Sequence, residues 1–324
     1  MRHLAGLTEK ALIGAGEKPA HARALVAWFA GRAGRPRRAD AYDAALPHAE
    51  PHADPDGTVK FAVRLHDGAL VETVLIRHPR RTTVCVSSQA GCARGCVFCE
   101  TGRAGLQRNL SAAEIVAQYA VAARFAGERP QNVVFMGMGE PLDNLDNVIG
   151  AIEVLAERAG FAVPERRITV STVGIVPKMD ELAARTKAQL AVSLHAIARE
   201  QRLKLLPVAR KWPLDELRAA IARAPRTVLL QWTLIEGVNA ADADADALID
   251  FARGLRNARV NLIPLNPGPV KSQRAPSMER CRAFQKRLLD AGVRALLRMP
   301  HGQAVGGACG QLAGAQADKR AARA

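Results

Sequence analysis

From about residue 82 onward the chain alternates short apolar segments with amphipathic ones, and this alternation limits the possible folds more than any other feature. The apolar segments have the length and composition of buried β-strands, and the segments between them carry apolar residues at helical spacing. Strands that alternate with helices through short connections form parallel sheets with right-handed crossovers. We therefore predict an α/β fold, a partial (β/α)6 TIM-like barrel rather than a closed eight-fold one.

Six strands and the helices between them make up this predicted barrel. The strands are Thr83–Ser88, Asn132–Met136, Arg167–Thr172, Leu190–His195, Val228–Leu234 and Arg259–Leu265, with a candidate seventh at Ala295–Met299. The helices are Ala112–Ala126, Asp146–Ala159, Pro177–Arg185, Leu214–Ala224, Ala243–Arg256 and Ser277–Ala291. Ser111 and Glu114 have the spacing of a capping box, which predicts the start of the first of these helices.

Residues 1–57 lack the alternation and are interpreted as a small N-terminal accessory region. Apolar residues at helical spacing predict a helix over Ala20–Gly31. His48–Asp56 is rich in Pro, His and Asp, which favours a linker.

Residues 58–81 are predicted to form a β-hairpin extension. Val59–Leu65 and Ala69–Ile76 alternate like strands and flank a loop that contains Asp-Gly, a frequent hairpin turn. The barrel is then expected to span residues 82–314, and residues 315–324 are expected to form a basic tail.

Lys and Arg outnumber Asp and Glu by 46 to 31, which gives a formal net charge of +15. Such an excess favours a polyanionic partner, RNA or DNA. The alternative is that abundant Arg and Ala reflect genomic base composition alone. The N-terminal segment carries charged residues throughout and no long uncharged apolar run occurs, so we expect no secretory signal and no membrane span. A cytoplasmic, reducing setting follows, where clustered cysteines indicate metal binding or catalysis.

Three of the six cysteines form a Cys-x3-Cys-x2-Cys run, Cys92, Cys96 and Cys99. Three thiols in eight residues are too close together for a disulfide framework, and they are one ligand short of a closed zinc or iron–sulfur site. The run therefore indicates a metal centre with an open coordination position. The alternative is a zinc knuckle with a distant fourth ligand, for which His195 is the best candidate.

Polar and glycine residues follow the ends of several predicted strands. In barrels of this kind the chemistry collects at the C-terminal ends of the strands. The cysteine run follows strand one, and further residues follow or end strands two, three, four and six: Gly137–Pro141, Ser171-Thr172, Ser193–His195 and Asn266-Pro267. Taken singly, Gly137–Pro141 would be an ordinary strand-to-helix turn and His195 a hydrogen-bonded structural residue.

The cysteine run, with Phe98 before its last cysteine, resembles the signature of radical S-adenosylmethionine (SAM) enzymes. Five further segments carry a more specific resemblance: Cys85–Cys92, Arg108–Leu110, Gly137–Leu142, Asn261–Pro267 and Ala308–Leu312. Over residues 58–314 the chain resembles the RNA adenine methyltransferases of the RlmN/Cfr family.

The resemblance implies two cofactors, a 4Fe-4S cluster and SAM. Cys92, Cys96 and Cys99 would hold the cluster, and Phe98 would shield it from water. Further residues match the SAM contacts of the family: Gly139, Glu140, Ser171, Ser193, Leu194, His195 and Asn266.

The resemblance also implies a second set of reactive residues. Cys309 matches the cysteine that is methylated by one SAM before a second SAM supplies the radical. Cys85 matches the cysteine that resolves the protein–RNA adduct by forming a disulfide with Cys309. Glu72 matches the proton acceptor. Without the resemblance, Cys85 would be interpreted as a core residue and Glu72 as part of a solvated strand face. Cys281, in an apolar helical stretch, is interpreted as packing.

The implied function is methylation of adenine C2 in 23S ribosomal RNA, with transfer RNA as a candidate second substrate. A flavodoxin-like electron donor and a monomeric enzyme are expected. The chain departs from the family pattern at Ala209, at Pro300-His301, in residues 303–307 and in a short N-terminal region. The changes near Cys309 and at the N-terminus bear on the RNA target. Adenine C8 methylation or a divergent RNA target stays open within the class, and a zinc-knuckle RNA-binding protein stays open outside it.

Overall fold

The computed structural model describes residues 2–313, which contain fourteen strands and ten α-helices. The strands are β1 Arg2–His3, β2 Tyr42–Asp43, β3 His48–Ala53, β4 Val59–Arg64, β5 Leu70–His78, β6 Arg81–Cys85, β7 Gln89–Gly91, β8 Leu106–Asn109, β9 Asn132–Phe135, β10 Ile168–Thr172, β11 Gln189–Ser193, β12 Val228–Leu234, β13 Ala258–Pro264 and β14 Ala295–Leu297. The helices are α1 Glu9–Gly14, α2 Pro19–Phe29, α3 Glu100–Ala104, α4 Ala112–Ala126, α5 Leu145–Ala156, α6 Val176–Arg185, α7 Arg199–Leu205, α8 Leu214–Arg223, α9 Asp242–Ala252 and α10 Met278–Asp290.

Ten of the strands form one sheet, in the order β14-β13-β12-β11-β10-β9-β6-β5-β4-β3. The seven strands from β6 to β14 in this order are mutually parallel, whereas β3, β4, β5 and β6 are joined antiparallel. The ends of the order, β3 and β14, are not paired with each other, so the described sheet is an open, partial barrel. This confirms the predicted α/β class, and β14 is the seventh strand.

The inner strands are buried on both faces, as a parallel sheet between helices and a filled interior requires. In β12, for example, Leu230, Trp232 and Leu234 alternate with Gln231 and Thr233, and all five are buried. The capping box of α4 is also formed. Ser111 Oγ accepts a hydrogen bond from the Glu114 backbone N–H at 3.2 Å, and a Glu114 carboxylate oxygen accepts one from the Ser111 N–H at 2.8 Å.

The linker interpretation of His48–Asp56 is wrong for most of its length. Residues His48–Ala53 are strand β3, paired antiparallel with β4 at the edge of the sheet. Most of β3 is exposed, which explains its polar composition, and Pro51 is tolerated because an edge strand needs ladder hydrogen bonds on one side only.

The hairpin and the N-terminal helix are confirmed with shifted boundaries. The second hairpin strand, β5, continues to His78, and the helix α2 spans Pro19–Phe29. Among residues 2–313, every helix is too short or too polar to traverse a lipid bilayer. The expected basic tail at residues 315–324 lies outside the described residues.

Candidate active site

A short hairpin that the sequence did not indicate holds the cysteine loop. Strands β7 and β8 pair antiparallel and so bring the two ends of residues 92–105 together, and the Cys92 N–H donates to the Gly105 carbonyl at 2.9 Å. Gly91, with φ +81°, makes this closure possible: a Cβ there would lie 1.9 Å from the Gly105 carbonyl oxygen. The three thiols are thus presented from a loop whose base is fixed.

One cleft at the C-terminal ends of the parallel strands collects most of the residues that the sequence singled out. Ten of them line it: Cys92, Cys96, Cys99, Gly139, Glu140, Ser171, Ser193, His195, Asn266 and Cys309. Phe98 lines it too. Leu194, Glu72 and Cys85 are buried and are not among the residues that line the cleft. The structure therefore brings these segments together around one cleft at the C-terminal ends of the strands.

The three thiols of the loop are half-buried and lie near one another and near the Glu140 carboxyl. Burial, together with the neighbouring acidic groups, raises the pKa of Cys92 to about 11 and also raises the pKa values of Cys96 and Cys99. Thiolates in such a place need a strongly positive partner, and a metal centre supplies one.

Within residues 2–313, no group of three or more His, Cys, Asp or Glu side chains converges as the ligands of a single metal ion would. A 4Fe-4S cluster makes a different demand, because each thiolate binds its own iron. Three soft thiol donors around one cleft fit this group.

A buried arginine beside the cysteine loop was missed by sequence reasoning. The Arg202 guanidinium, 3% exposed, donates to the carbonyls of Ser193 and Leu194 and lies close enough to Cys96 to interact with it electrostatically. Helix α7, which carries Arg202, is tied to the loop by a hydrogen bond from the Val97 N–H to the Leu205 carbonyl at 3.2 Å. A positive charge therefore stands next to the thiols.

His195 has a backbone φ of +56° and a ring that packs edge-on against Phe98, with centroids 4.7 Å apart. Its Nδ1 accepts a hydrogen bond from the Thr233 N–H at 2.9 Å. Burial, assisted by the nearby charge of Arg202, lowers the pKa of His195 to about 3. The ring is therefore neutral near pH 7 and carries its proton on Nε2, where it can donate.

Glu140 is buried and is fixed by two backbone donors. One carboxylate oxygen accepts from the Leu142 N–H at 3.0 Å and the other from the Val173 N–H at 2.8 Å. Burial raises the pKa of this carboxyl to about 7. The preceding Gly139 has φ +100°, and a Cβ there would come within 2.6 Å of the Gln89 side chain, so only glycine fits. A carboxylate held this way can accept from an ammonium group.

Cys309 is exposed on a C-terminal segment that folds over the cleft. The Asn266 side chain donates to the Cys309 carbonyl at 3.0 Å, and the Glu100 N–H donates to the Gly310 carbonyl at 2.8 Å. The segment is thus fixed to strand β13's exit loop and to helix α3.

Cys85 ends strand β6, 7% exposed, and lies within electrostatic reach of Cys309. Burial, with the Cys309 thiol as a further contribution, raises the pKa of Cys85 to about 12. Both sulfurs are free thiols. The two cysteines that the resemblance paired are therefore neighbours, although 224 positions separate them. Cys281 is fully buried, as expected of a packing residue.

Glu72 is 1% exposed, so the alternative of a solvated strand face is wrong. One of its carboxylate oxygens lies 2.9 Å from Lys60 Nζ, and the other accepts from the Ala313 N–H at 2.6 Å. Glu72 thus contacts the segment that carries Cys309. On the same side, Asp54 accepts from the Ala304 N–H at 2.8 Å and Asp56 from the Gly302 N–H at 3.0 Å.

Known proteins resemble this chain in sequence and in structure. Residues 86–249 match the Radical SAM superfamily. A protein of Sorangium cellulosum named "Probable RNA methyltransferase sce1580" is 49% identical over 266 residues, which is 80% of this chain and 67% of that protein. The "Dual-specificity RNA methyltransferase RlmN" of Syntrophobacter fumaroxidans is 47% identical over 263 residues, 79% of this chain and 77% of that protein.

A crystal structure of a radical SAM methyltransferase from Sphaerobacter thermophilus superposes with a TM-score of 0.88 at 40% identity, covering 96% of this chain and 99% of that one. The fold, the cysteine loop and the cleft are those of a radical SAM enzyme. Within that superfamily, the chain belongs to the RlmN-like radical SAM RNA methyltransferases. Its cofactors are a 4Fe-4S cluster and SAM, and the zinc-knuckle alternative is set aside.

Proposed function

We propose that this enzyme methylates C2 of an adenine in 23S ribosomal RNA, and that transfer RNA is a second substrate, through S-methylation of Cys309. One observation carries the proposal: the exposed Cys309 thiol lines the same cleft as Cys92, Cys96 and Cys99 and neighbours Cys85. The alternatives are methylation at C8 and a divergent RNA target.

Within this proposal Cys92, Cys96 and Cys99 bind the cluster, and Phe98 and His195 close the cleft beside it. Gly139, Glu140, Ser171, Ser193, Leu194, His195 and Asn266 bind SAM. The chemistry that the cluster and SAM supply when bound is one-electron cleavage of SAM to a carbon radical. The buried Glu140 carboxylate, with two backbone donors fixing it, is suited to the ammonium of the methionyl group.

Cys309 is assigned the methyl-carrying role, because an exposed thiolate can attack the sulfonium methyl. Its sulfur gains the methyl and loses its proton, while the carbon–sulfur bond of SAM breaks. Cys85 is assigned the resolving role: its thiolate attacks the Cys309 sulfur of the protein–RNA adduct and forms a disulfide. The bond between the Cys309 sulfur and the methylene carbon breaks, and this carbon keeps the electron pair and takes a proton to become the methyl group of the released base. Glu72 is assigned the proton-accepting role, and its contact with Ala313 places it beside the segment that carries Cys309.

The target base has to leave its helical stack to reach a cleft of this kind, which favours loops and single-stranded regions of RNA. The net charge of +15 supports binding of such a polyanion. We also propose a cytoplasmic location, a flavodoxin-like electron donor and a monomeric enzyme.

Mass spectrometry of nucleosides tests the proposal. Ribosomal and transfer RNA are compared from a deletion strain, from the same strain complemented with this chain, and from the strain complemented with Cys309→Ala. We expect 2-methyladenosine only with the unaltered chain. A gain of 8-methyladenosine instead would establish the C8 alternative, and unchanged RNA in all three strains would contradict an adenine methyltransferase.

A further inference from the structure

Gln231 has a side chain that the chain itself leaves unsatisfied. It is 4% exposed, and neither its Oε1 nor its Nε2 has a hydrogen-bond partner among residues 2–313. Most buried polar groups in folded proteins are paired, so an orphaned pair of donor and acceptor calls for an explanation. A bound ligand is one.

Another buried glutamine shows what a structural role looks like in this protein. Gln118 accepts from Thr73 Oγ1 and from the Ser87 N–H, and its amide donates to the Ser87 carbonyl. Gln118 thereby joins three segments of the core. Gln231 makes no such bonds through its side chain, and its side chain faces the cleft instead.

The position of Gln231 in the sheet indicates what its amide faces. Gln231 pairs in register with Ser193 of the neighbouring strand β11, and Thr233, two residues further along β12, lines the same cleft. Gly139 and Glu140, proposed to hold the methionyl end of SAM, follow β9, which is three strands away in the sheet. At about 4.8 Å per strand this is roughly 14 Å along the sheet.

We propose that Gln231 binds the nucleoside part of SAM, with its amide as both donor and acceptor. This rests on the proposed SAM site. If the methionyl end lies near β9, the nucleoside extends across β10 and β11 toward β12. There the side-chain amide of Gln231 has no hydrogen-bond partner among residues 2–313. A primary amide suits either the adenine edge, which offers a donor beside an acceptor, or the ribose hydroxyls.

The experiment measures equilibrium binding of S-adenosylhomocysteine, an unreactive stand-in for SAM, to the anaerobically prepared holoenzyme. We expect Gln231→Met to weaken binding about tenfold, because two hydrogen bonds are lost. Gln285→Met is the matched control: Gln285 donates to the Ala295 carbonyl at 3.0 Å away from the cleft, so its loss is expected to leave the affinity unchanged.

Two further readouts separate ligand binding from a structural role. Ligand-free Gln231→Met is expected to unfold at the same temperature as the unaltered enzyme or higher, because it removes a buried unsatisfied group. Analogues of the ligand that carry hypoxanthine in place of adenine, or lack the ribose 2′-hydroxyl, locate the contact. The unaltered enzyme should discriminate against one of them, and Gln231→Met should lose that discrimination.

The outcomes distinguish this inference from the proposal beneath it. If S-adenosylhomocysteine does not bind to the unaltered holoenzyme, the proposed SAM site itself is contradicted. Tight binding to the unaltered enzyme and equally tight binding to Gln231→Met would overturn only the role of Gln231. If Gln231→Met discriminates between S-adenosylhomocysteine and each analogue as strongly as the unaltered enzyme does, the proposed role of Gln231 would be overturned as well.

Discussion

The ammonium group of Lys60 lies 2.9 Å from a carboxylate oxygen of Glu72, and the two side chains are only 13% and 2% exposed. The same carboxylate receives the Ala313 N–H, so the ion pair links the hairpin formed by β4 and β5 to the segment that carries Cys309. A buried pair of this kind fixes geometry more than it adds stability, because both charges have been taken out of water.

Replacing Glu72 by Gln is expected to lower the free energy of unfolding by about 3 kcal/mol, because Lys60 is left buried without its counter-charge. The double variant Lys60→Met with Glu72→Met is expected to regain most of this loss. Urea unfolding measures both. The exposed pair of Arg253 and Asp250, broken by Arg253→Ala, serves as the control and should change nothing measurable. Equal losses in the single and double variants would contradict the buried-pair interpretation.

Substitution of Cys309 by Ala should abolish methyl transfer while the iron content stays at about four per chain. The thiol is exposed, and the segment is held through its backbone by Asn266 and Glu100, so its removal leaves no cavity. Iron analysis and nucleoside mass spectrometry measure the two effects separately. Loss of iron from this variant would assign Cys309 to the cluster instead.

Gly91 and Gly105 face each other at the base of the cysteine loop and allow a matched comparison. In Gly91→Ala the new Cβ would overlap the Gly105 carbonyl oxygen at 1.9 Å, so β7 and β8 cannot close and the cluster should not load. Gly105 also has a positive φ, +73°, with ψ 177°, a conformation that strains any L side chain, but a Cβ there meets no neighbouring atom. Gly105→Ala is therefore expected to lose about 1–3 kcal/mol and to keep its iron.

Iron content after anaerobic reconstitution measures this difference. If Gly91→Ala holds as much iron as Gly105→Ala, the loop does not depend on closure of the hairpin.

The buried His195 makes stability depend on pH with a defined sign. Burial lowers its pKa to about 3, whereas a histidine in an unfolded chain titrates near its ordinary pKa of 6.5. Below pH 6.5 the unfolded chain therefore binds a proton that the folded chain does not. The folded state loses up to about 2 kcal/mol between about pH 6.5 and pH 5 from this group.

Glu140 acts in the opposite direction, because its raised pKa of about 7 means that the folded chain binds the extra proton there. The difference between the unaltered chain and His195→Gln isolates the histidine. Urea unfolding of the iron-free protein is expected to show the unaltered chain losing stability relative to His195→Gln as the pH falls. A difference that is constant with pH would mean that His195 binds its proton equally well in the folded and the unfolded chain, so that burial does not lower its pKa.

Local signals allowed much of the fold to be predicted. The start of α4 depends on Ser111 and Glu114, three residues apart, and β12 was predicted with its observed boundaries because a buried parallel strand is a continuous apolar run. Strand β3 was missed because its edge position leaves its side chains polar. Strands β7 and β8 were missed because segments of three or four residues are too short to show an alternation of apolar and polar residues.

The candidate site could be predicted where a motif carried it and not where burial creates it. Cys92, Cys96 and Cys99 are recognisable from their spacing. Arg202 and Gln231 look like ordinary polar residues in the sequence. They can be recognised as site residues only in the structure, because the fold buries them beside the cleft.

The contacts that fix the Cys309 segment join residues far apart in sequence, such as Asp56 and Gly302, 246 positions apart. Chains emerge from the ribosome N-terminus first, so the cysteine loop and the strands around it can fold before residues 301–313 exist. The segment that carries Cys309 can therefore take its place over the cleft only at the end of synthesis. The Cys309 thiol, proposed to carry the methyl group, therefore reaches the cleft only after Cys92, Cys96 and Cys99 have been synthesised.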